Sequence, residues 1–460
     1  MPFPFLNRRD LLHAGGVAVG ASALSQFSTG GLRPPLSQMK AKSVIFLWLA
    51  GGVTHHESFD PKPDAPEEIR GSLTTIQTTL PGVRFTEVMP QMARQTDKIA
   101  LVRTFAAGTD DHFQAQARAL SGRMVNLQQI DTEPNVGAVV SKLRGPRAGF
   151  PGYIAVPGTT RPGPPPKNLF VGGWLGRQYG PFMTGGKAKN EDFTAGVKED
   201  VAEEEFTKQA VRPGAGLDGP RLDGRRSLRE KLDTALKHSE PASAVADEFR
   251  GAFDMLLSPS VRAAFDLSGE ADKVRDRYGK TKIGTRCLLA RRLVEAGAPF
   301  VMVDYGYDPE YGNLWDQHNA AGQNFPHICE MAKRPYHLAG VDRAFAALLD
   351  DLAVRGRLSE TLVVFLTDFG RTPKINKEGG RDHWGRTGSI FFAGGGVTGG
   401  QVIGTTDSRG ADPVTPAYTP ADTAATIYSA LGMDLGAVLT DREGRSIPML
   451  PVGQPIKGVL

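Results

Sequence analysis

TLVVFLTDFGRTP, residues 361–373, is the stretch of this sequence that decides the predicted fold. The seven residues before Asp368 are mostly β-branched or apolar and carry no charge, which predicts a strand buried on both faces. Asp368 then opens a polar segment that contains Arg371. Because ligands of open α/β sheets bind beyond the carboxyl ends of the strands, Asp368 stands where a functional site is expected.

A second polar segment, GRDHWG at residues 380–385, follows closely and contains Asp382 and His383. Alone, Asp368 would more often be the polar turn that ends a strand. In the company of Arg371, Asp382 and His383, it predicts a functional site.

The same alternation of apolar runs and amphipathic segments extends along most of the chain. It predicts a doubly wound, mainly parallel α/β sheet with helices on both faces, formed by residues 43–460. Residues 158–266 interrupt the pattern. We interpret them as a Gly- and Pro-rich loop, for which order and disorder both stay open, followed by a charged helical insertion. Further strands are expected at 43–50, 98–105, 152–157, 299–305, 389–394 and 401–404, and helices at 113–120, 134–143, 283–296, 338–356 and 420–431.

The first 42 residues have the features of an export signal and a spacer. Arg8 and Arg9 precede a weakly apolar run of small residues that ends near Ala23, and the paired arginines resemble a twin-arginine signal. This predicts passage through the twin-arginine export machinery to the periplasm or the cell exterior. No later apolar run approaches the roughly 20 residues that a membrane span needs, so none is predicted in the mature chain.

Composition excludes several classes of function. The formal charge of +4 is small for 460 residues, and no Lys/Arg run with interleaved aromatics points to nucleic acid. The two cysteines, Cys287 and Cys329, are too few for a disulfide framework or a thiolate zinc site. Each is predicted to be a buried structural thiol.

Polar clusters follow three other predicted strands. After the first strand come His55, His56 and Asp60, which are ligand-type residues beside a glycine turn. Only one histidine of the adjacent pair can face a site, and Asp60 before a proline is also an ordinary turn residue. We take His56 and Asp60 as candidate metal ligands.

The second cluster is Thr109, Asp110, Asp111 and His112, at the start of a predicted helix. Thr109 or Asp110 can cap that helix, whose first N–H groups would favour an anion. A helix cap with a solvated turn explains the cluster equally well.

The third cluster contains Asp316 and His318. On an extended segment, residues two apart point to the same side, so these two side chains form a good pair of metal ligands.

Together these motifs resemble an exported bacterial family known as a domain of unknown function, along essentially the whole mature chain. That family is similar to a remote branch of the alkaline phosphatase and sulfatase fold. The motifs are Trp48–Gly52, Phe59–Pro63, His112 with Ala119–Gly122, Trp315–His318, Phe369–Pro373, Gly380–Trp384 and Gly444–Pro448.

The resemblance implies an enzyme that uses one or two divalent metal ions (Zn, Ca or Mg) to cleave phosphate or sulfate esters. Its substrate would be a small anionic ester or a sulfated or phosphorylated glycan. Arg371, Arg381 or Arg123 would hold the anionic group, and Thr109 or a metal-activated hydroxide would attack. The candidate catalytic residues are Thr109, His112 and Arg371, and the candidate metal ligands are His56, Asp60, Asp111, Asp316, His318, Asp368 and His383.

Four departures weaken the implied activity more than the implied fold. Counted back from Gly122 and Arg123, His112 occupies the position of the sulfatase cysteine, so no formylglycine can form there. Gly51-Gly52 replaces the acid expected after the first strand, and Phe369 follows Asp368 in place of His or Asn. The spacing from Asp316 to His318 is also shorter than usual. A non-catalytic protein that binds an anionic glycan or a partner protein, through the aromatic 158–196 region, is therefore the alternative.

Overall fold

The computed structural model of this chain describes residues 41–158, 169–185, 258–308, 312–319 and 325–460, together with Ser227. The predicted signal and spacer lie outside the described residues except for Ala41 and Lys42. Most of the loop and insertion predicted for residues 158–266 also lies outside them. The export signal therefore stays a prediction.

A single eight-stranded sheet forms the centre of the protein, in the order β14–β4–β13–β10–β1–β7–β5–β6. All neighbouring pairs are parallel except those of β13, which runs antiparallel to β10 and β4. This confirms the predicted mainly parallel sheet. Its strands are β1 (Ser43–Trp48), β4 (Ile99–Phe105), β5 (Ile154–Val156), β6 (Phe182–Met183), β7 (Phe300–Asp304), β10 (Thr361–Leu366), β13 (Gly388–Ala393) and β14 (Gln401–Ile403).

Helices cover both faces of this sheet, as the doubly wound class requires. Each of the five helices predicted above is present to within two residues at either end. The described helices are α1 (Glu67–Arg70), α2 (Pro90–Ala93), α3 (His112–Ser121), α4 (Val136–Arg144), α5 (Pro259–Phe265), α6 (Asp272–Tyr278), α7 (Lys282–Glu295), α8 (Ile328–Ala332), α9 (Leu338–Val354) and α10 (Pro420–Ala430).

The alternation of side chains along β1 builds two separate cores. Ile45 and Leu47 pack on one face with α7 and α9, whereas Val44 and Phe46 pack on the other with α3, α4 and α10. Both faces are apolar, which is why the strand reads as a continuous hydrophobic run. Cys287 and Cys329 are free and buried, as predicted.

Four two-stranded ribbons complete the described strands, and two of them lead to the candidate site. The β8–β9 ribbon precedes Asp316 in the chain, and the β11–β12 ribbon carries Arg371 opposite His383. The ribbons are β2 (Thr75–Gln77) with β3 (Arg84–Thr86), β8 (Tyr307–Asp308) with β9 (Gly312–Asn313), β11 (Gly370–Arg371) with β12 (His383–Trp384), and β15 (Val438–Thr440) with β16 (Ser446–Pro448).

A buried ion triad fixes the β8–β9 ribbon to the sheet. Asp308 is fully buried and binds Lys282 Nζ at 2.7 Å and Arg286 Nη2 at 2.9 Å. Both cations belong to α7, and Arg286 also donates to the carbonyl of Asp304. A buried carboxylate that lost these partners would be strongly destabilising, so the triad holds the chain in place just before Asp316.

No helix among the described residues is long and apolar enough to cross a membrane.

Acid sensitivity is expected from His337, which is buried at the start of α9 against Trp315, with ring centroids 4.3 Å apart. Burial lowers the pKa of His337 to about 3, against a hydrogen bond with Leu314 that raises it. Because this pKa is lower in the folded than in the unfolded state, its contribution to stability is complete above about pH 6.5 and is lost as the pH falls below it.

The variant His337→Phe should therefore show a shallower decline of unfolding free energy between about pH 6.5 and 3. The slope of unfolding free energy against pH should fall by up to about 1.4 kcal/mol per pH unit, which is the slope that the uptake of one proton produces. Urea unfolding at a series of pH values measures it. Burial also lowers the pKa values of His55 and His56, so these two residues still contribute to the pH dependence in the variant. Parallel curves for variant and wild type would show that His337 is not responsible.

Candidate metal centre

Four nitrogen atoms surround one carboxylate oxygen, Oδ1 of Asp316. The distances are 2.9 Å to His112 Nε2, 3.1 Å to His383 Nε2, 3.2 Å to His318 Nε2 and 3.0 Å to Arg371 Nη2. These residues come from the start of α3, from the segment after β9 and from the β11–β12 ribbon. The structure thus brings residues from distant parts of the sequence together beyond the sheet.

Each of the three histidines is held by its other ring nitrogen. The partner is in every case an oxygen of a carboxylate or a backbone carbonyl, which accepts, so Nδ1 carries the hydrogen and, in the neutral ring, Nε2 carries a lone pair. The three contacts are His112 Nδ1 to Asp368 Oδ2 at 2.7 Å, His318 Nδ1 to Asp382 Oδ1 at 2.8 Å, and His383 Nδ1 to the carbonyl oxygen of Asp110 at 2.8 Å.

This arrangement points bare nitrogen atoms at one another. His318 Nε2 lies 2.7 Å from His383 Nε2, and the buried Nε2 of His112 makes no hydrogen bond, although Asp316 Oδ1 is close. Lone pairs at such distances repel unless a cation lies between them. The cluster therefore requires either a shared proton or a metal ion.

The pKa values of the neighbouring groups show where a proton would reside without metal. The contact with Asp316 raises the pKa of His318 despite burial, whereas burial lowers the pKa of His383. Burial works to raise the pKa of Asp316, but the three histidines and Arg371 together lower it below its usual value. Asp316 is therefore an anion in the folded protein, and His318 holds a proton more readily than His383.

The chemistry of these ligands fits a divalent transition metal. Within the residues that the structure describes, His112, Asp316 and His383 are the one group whose ligand atoms lie close enough to share an ion, all within 4.8 Å of one another. Imidazole nitrogens with one carboxylate suit zinc, whereas calcium and magnesium prefer oxygen ligands alone. Histidines held through Nδ1 by carboxylates or carbonyls are the usual environment of such metal ligands.

Asp368, predicted as a metal ligand, is fully buried beside this group and has both of its oxygens occupied. Oδ1 accepts from Gly51 N at 3.0 Å and from Thr367 Oγ1 at 3.2 Å, and Oδ2 accepts from His112 Nδ1 and from Gln116 Nε2 at 3.0 Å. The structure thus places Asp368 against His112 Nδ1 and outside the group of His112, Asp316 and His383, and its predicted role as a metal ligand stays a prediction.

Arg371 is also buried, and its guanidinium is committed within the protein. Nε donates to Gly52 O at 3.0 Å and Nη1 to Arg381 O at 3.0 Å, while Nη2 contacts Gly51 O, Trp315 O and Asp316. The structure therefore does not support the predicted catalytic role of Arg371 in holding an anionic substrate. Its bonds join the loops that carry the site.

The other two arginines considered for that role are engaged as well. Arg381 is fully buried in an ion pair with Glu57, in which its Nε lies 2.9 Å from Oε2. Arg123 Nε lies 2.6 Å from Glu133 Oε2. Both guanidinium groups are thus held by carboxylates within the protein.

Thr109 and Asp111, predicted as nucleophile and metal ligand, form the cap of α3. Asp111 is exposed and its Oδ1 accepts from Gln114 N at 2.8 Å, as an N-cap does. Thr109 Oγ1 donates to Gln114 Oε1 at 2.9 Å and accepts from Asp111 N at 3.2 Å. These contacts agree with the alternative of a helix cap.

His56 and Asp60, the other predicted ligands, take their partners from a different segment. His56 Nε2 lies 2.8 Å from the carbonyl oxygen of Arg409. Asp60 is buried with Lys62 at 3.1 Å and Arg103 at 3.3 Å, and it accepts from Thr406 Oγ1. Burial works to raise the pKa of Asp60, but the two cations lower it. Both residues thus fasten loops to one another.

Sequence reasoning missed two residues that shape the centre. The sequence places Asp382 beside His383 but assigns it no role. It gives no role to Gln116 either. One signal could have found Gln116, because residues four apart on a helix, such as His112 and Gln116, lie on the same face.

Residues 41–460 match the family model described as "Protein of unknown function (DUF1501)". No curated protein matches this chain in sequence.

Several solved structures are similar to the chain at low identity. The sulfatase PsFucS1 from Pseudoalteromonas sp. is 14% identical, with 86% of this chain and 69% of that chain covered and a TM-score of 0.34. The phosphonate monoester hydrolase SpPMH from Silicibacter pomeroyi is 10% identical, with coverages of 91% and 78% and a TM-score of 0.39. Ps i-CgsB, in complex with k-i-k-neocarrahexaose, is 12% identical, with coverages of 89% and 76% and a TM-score of 0.37. Likeness at this level carries no statement about activity.

The replacement Arg371→Lys should destabilise the metal-free protein by about 3 kcal/mol or more, because lysine cannot serve the several buried carbonyl oxygens that the guanidinium bonds. Urea unfolding measures the loss. The matched control is Arg386→Lys, which changes an exposed pair with Asp412 and should cost no more than about 0.5 kcal/mol. Equal losses in the two variants would contradict the bracing role of Arg371.

Proposed function

This chain belongs to the DUF1501 family of proteins of unknown function, and we propose that it is an exported, metal-dependent hydrolase of sulfate or phosphate esters. The observation that carries this proposal is the convergence of three imidazole Nε2 atoms on Asp316 Oδ1. The resemblance of its motifs to the alkaline phosphatase and sulfatase fold supplies the class of reaction.

One divalent ion, for which zinc is the best match, would be held by His112, Asp316 and His383, with His318 beside them. Such an ion supplies polarisation of an ester oxygen and activation of a water molecule at neutral pH. Zinc sites that catalyse reactions keep three protein ligands and one open position, which agrees with the group of three.

The surrounding residues keep the histidines ready for this task. Asp368, Asp382 and the Asp110 carbonyl hold the Nδ1 hydrogens, so the Nε2 lone pairs of the neutral rings are available to bind a cation. Because the Thr109 hydroxyl is engaged in the cap of α3, a water molecule is the better candidate for the attacking group.

The substrate would be a small anionic ester or a sulfated or phosphorylated glycan outside the cytoplasm. Export rests on the twin-arginine signal predicted within residues 1–42.

A second function is favoured by one specific observation. The arginines predicted to hold an anion, Arg371, Arg381 and Arg123, are all committed to internal bonds. A protein that keeps the metal centre without turnover, and binds an anionic glycan or a partner protein, agrees with this.

Metal analysis tests the centre itself. Folded wild-type protein should retain about one zinc per chain after dialysis, and Asp316→Ala and His383→Ala should retain essentially none, because each removes a ligand. Elemental analysis measures the ratio. His56→Ala is the control, since its contacts lie with Arg409, and it should keep the metal. Wild-type protein without metal, or loss of metal in the control alone, would contradict the assignment.

Turnover separates the two functions. Zinc-loaded protein should release product from a panel of aryl sulfates, aryl phosphates and sulfated oligosaccharides, and the rate should fall roughly 100-fold or more in Asp316→Ala. Chromogenic assays and chromatography of the sugars follow the release. If zinc-loaded wild type hydrolyses no member of the panel, the proposal of an esterase fails and the binding protein is favoured.

A further inference from the structure

Gln116 is a buried side chain whose amide reaches the centre of the hydrogen-bond network. It lies on α3 four residues after His112, and its Nε2 donates to Asp368 Oδ2 at 3.0 Å. The same oxygen accepts from His112 Nδ1 at 2.7 Å. One carboxylate oxygen is thus shared by two side chains from one face of one helix.

We propose that Gln116 is a positioning residue of the metal centre, acting on His112 through Asp368. It holds Asp368 Oδ2 in the place where that oxygen fixes the hydrogen on His112 Nδ1, so that His112 Nε2 presents its lone pair to the ion. The inference rests on the metal centre of the proposed function, and not on the hydrolysis of any ester.

The two oxygens of Asp368 depend on different parts of the protein. Oδ1 is held by Gly51 N and Thr367 Oγ1, both at the carboxyl ends of neighbouring strands. Oδ2 accepts from His112 and Gln116, which both belong to α3. Gln116 therefore gives Oδ2 a donor that is independent of the histidine that this oxygen orients.

The helix makes Gln116 suited to this task. Side chains four residues apart project from the same face of a helix, one turn from each other. The helix α3 is fixed at its first turn by Asp111 as N-cap, and Gly122 is its C-cap. The spacing between the Gln116 amide and the His112 ring is therefore set by rigid backbone, and a neutral amide donor adds no charge to the buried carboxylate.

A purely structural role makes a different prediction. If Gln116 only satisfied a buried carboxylate, its replacement would lower the stability of the protein but leave the metal affinity of the folded fraction and the tautomer of His112 unchanged. Metal affinity and tautomer are therefore the decisive readouts.

The test is Gln116→Met, which keeps length and volume but removes the N–H donor. Zinc affinity of the full chain is measured by competition with a chromophoric chelator, and the ring tautomer of His112 in metal-free protein by ¹⁵N NMR of labelled histidine. We expect zinc affinity to fall about 10–100-fold and the His112 signals to move away from the pure Nδ1–H form.

The control is Ser121→Ala, which removes another buried polar group of α3, whose hydroxyl donates to Ala117 O and accepts from Arg123 N, away from Asp368. It should keep wild-type affinity and the wild-type tautomer. If Gln116→Met does not fold, Gln116→Asn carries the same expectation, because its amide is one methylene too short to reach Asp368.

Unchanged affinity and tautomer in a folded Gln116 variant overturn the inference. Wild-type protein that binds no zinc overturns it together with the metal centre. Wild-type protein that binds zinc but hydrolyses no ester removes the proposed activity only, and a weakened Gln116 variant then still supports the positioning role.

Discussion

The buried guanidinium of Arg371 is the interaction on which the rest of the site depends. Its N–H groups bond carbonyl oxygens from the turn after β1, from Trp315 and from Arg381, and the carboxylate of Asp316. A buried charge is tolerated only where it is paired and hydrogen-bonded, so these loops must come together for the arginine to be buried at all. Burial of Arg371 and assembly of the loops that carry the ligands therefore depend on each other.

Around the Arg371 guanidinium, an oxygen atom accepts the Nδ1 hydrogen of each histidine and leaves Nε2 to bind a cation. Asp368 serves His112 and Asp382 serves His318, while a backbone carbonyl serves His383. The result is a cluster of lone pairs that would repel one another in an otherwise complete protein. Such repulsion lowers the stability of the folded protein and is expected where the binding of a ligand offsets it.

Much of the fold was predictable from sequence, because buried strands such as β1 and β10 are continuous apolar runs between clear helices. Asp316, His318 and His383 were also predictable as ligand-type residues beyond strand ends. The roles of Asp368 and Arg371 were not predictable. Whether a carboxylate oxygen is free depends on backbone N–H groups distant in sequence, such as that of Gly51, which satisfies Asp368.

For the same reason His56 and Asp60 had the right chemistry for ligands, yet tertiary contacts gave them other partners. Conversely, Gln116 has no sequence signature of a metal site and gains its place only through Asp368.

The central claim is that His112, Asp316 and His383 hold one divalent ion, with His318 beside them. X-ray absorption spectroscopy of the zinc-loaded protein tests it most directly. We expect a sulfur-free shell of nitrogen and oxygen ligands at about 2.0 Å with the multiple scattering of two or three imidazoles. A shell of oxygen ligands without imidazole scattering, or one that is unchanged in Asp316→Ala, would contradict the account.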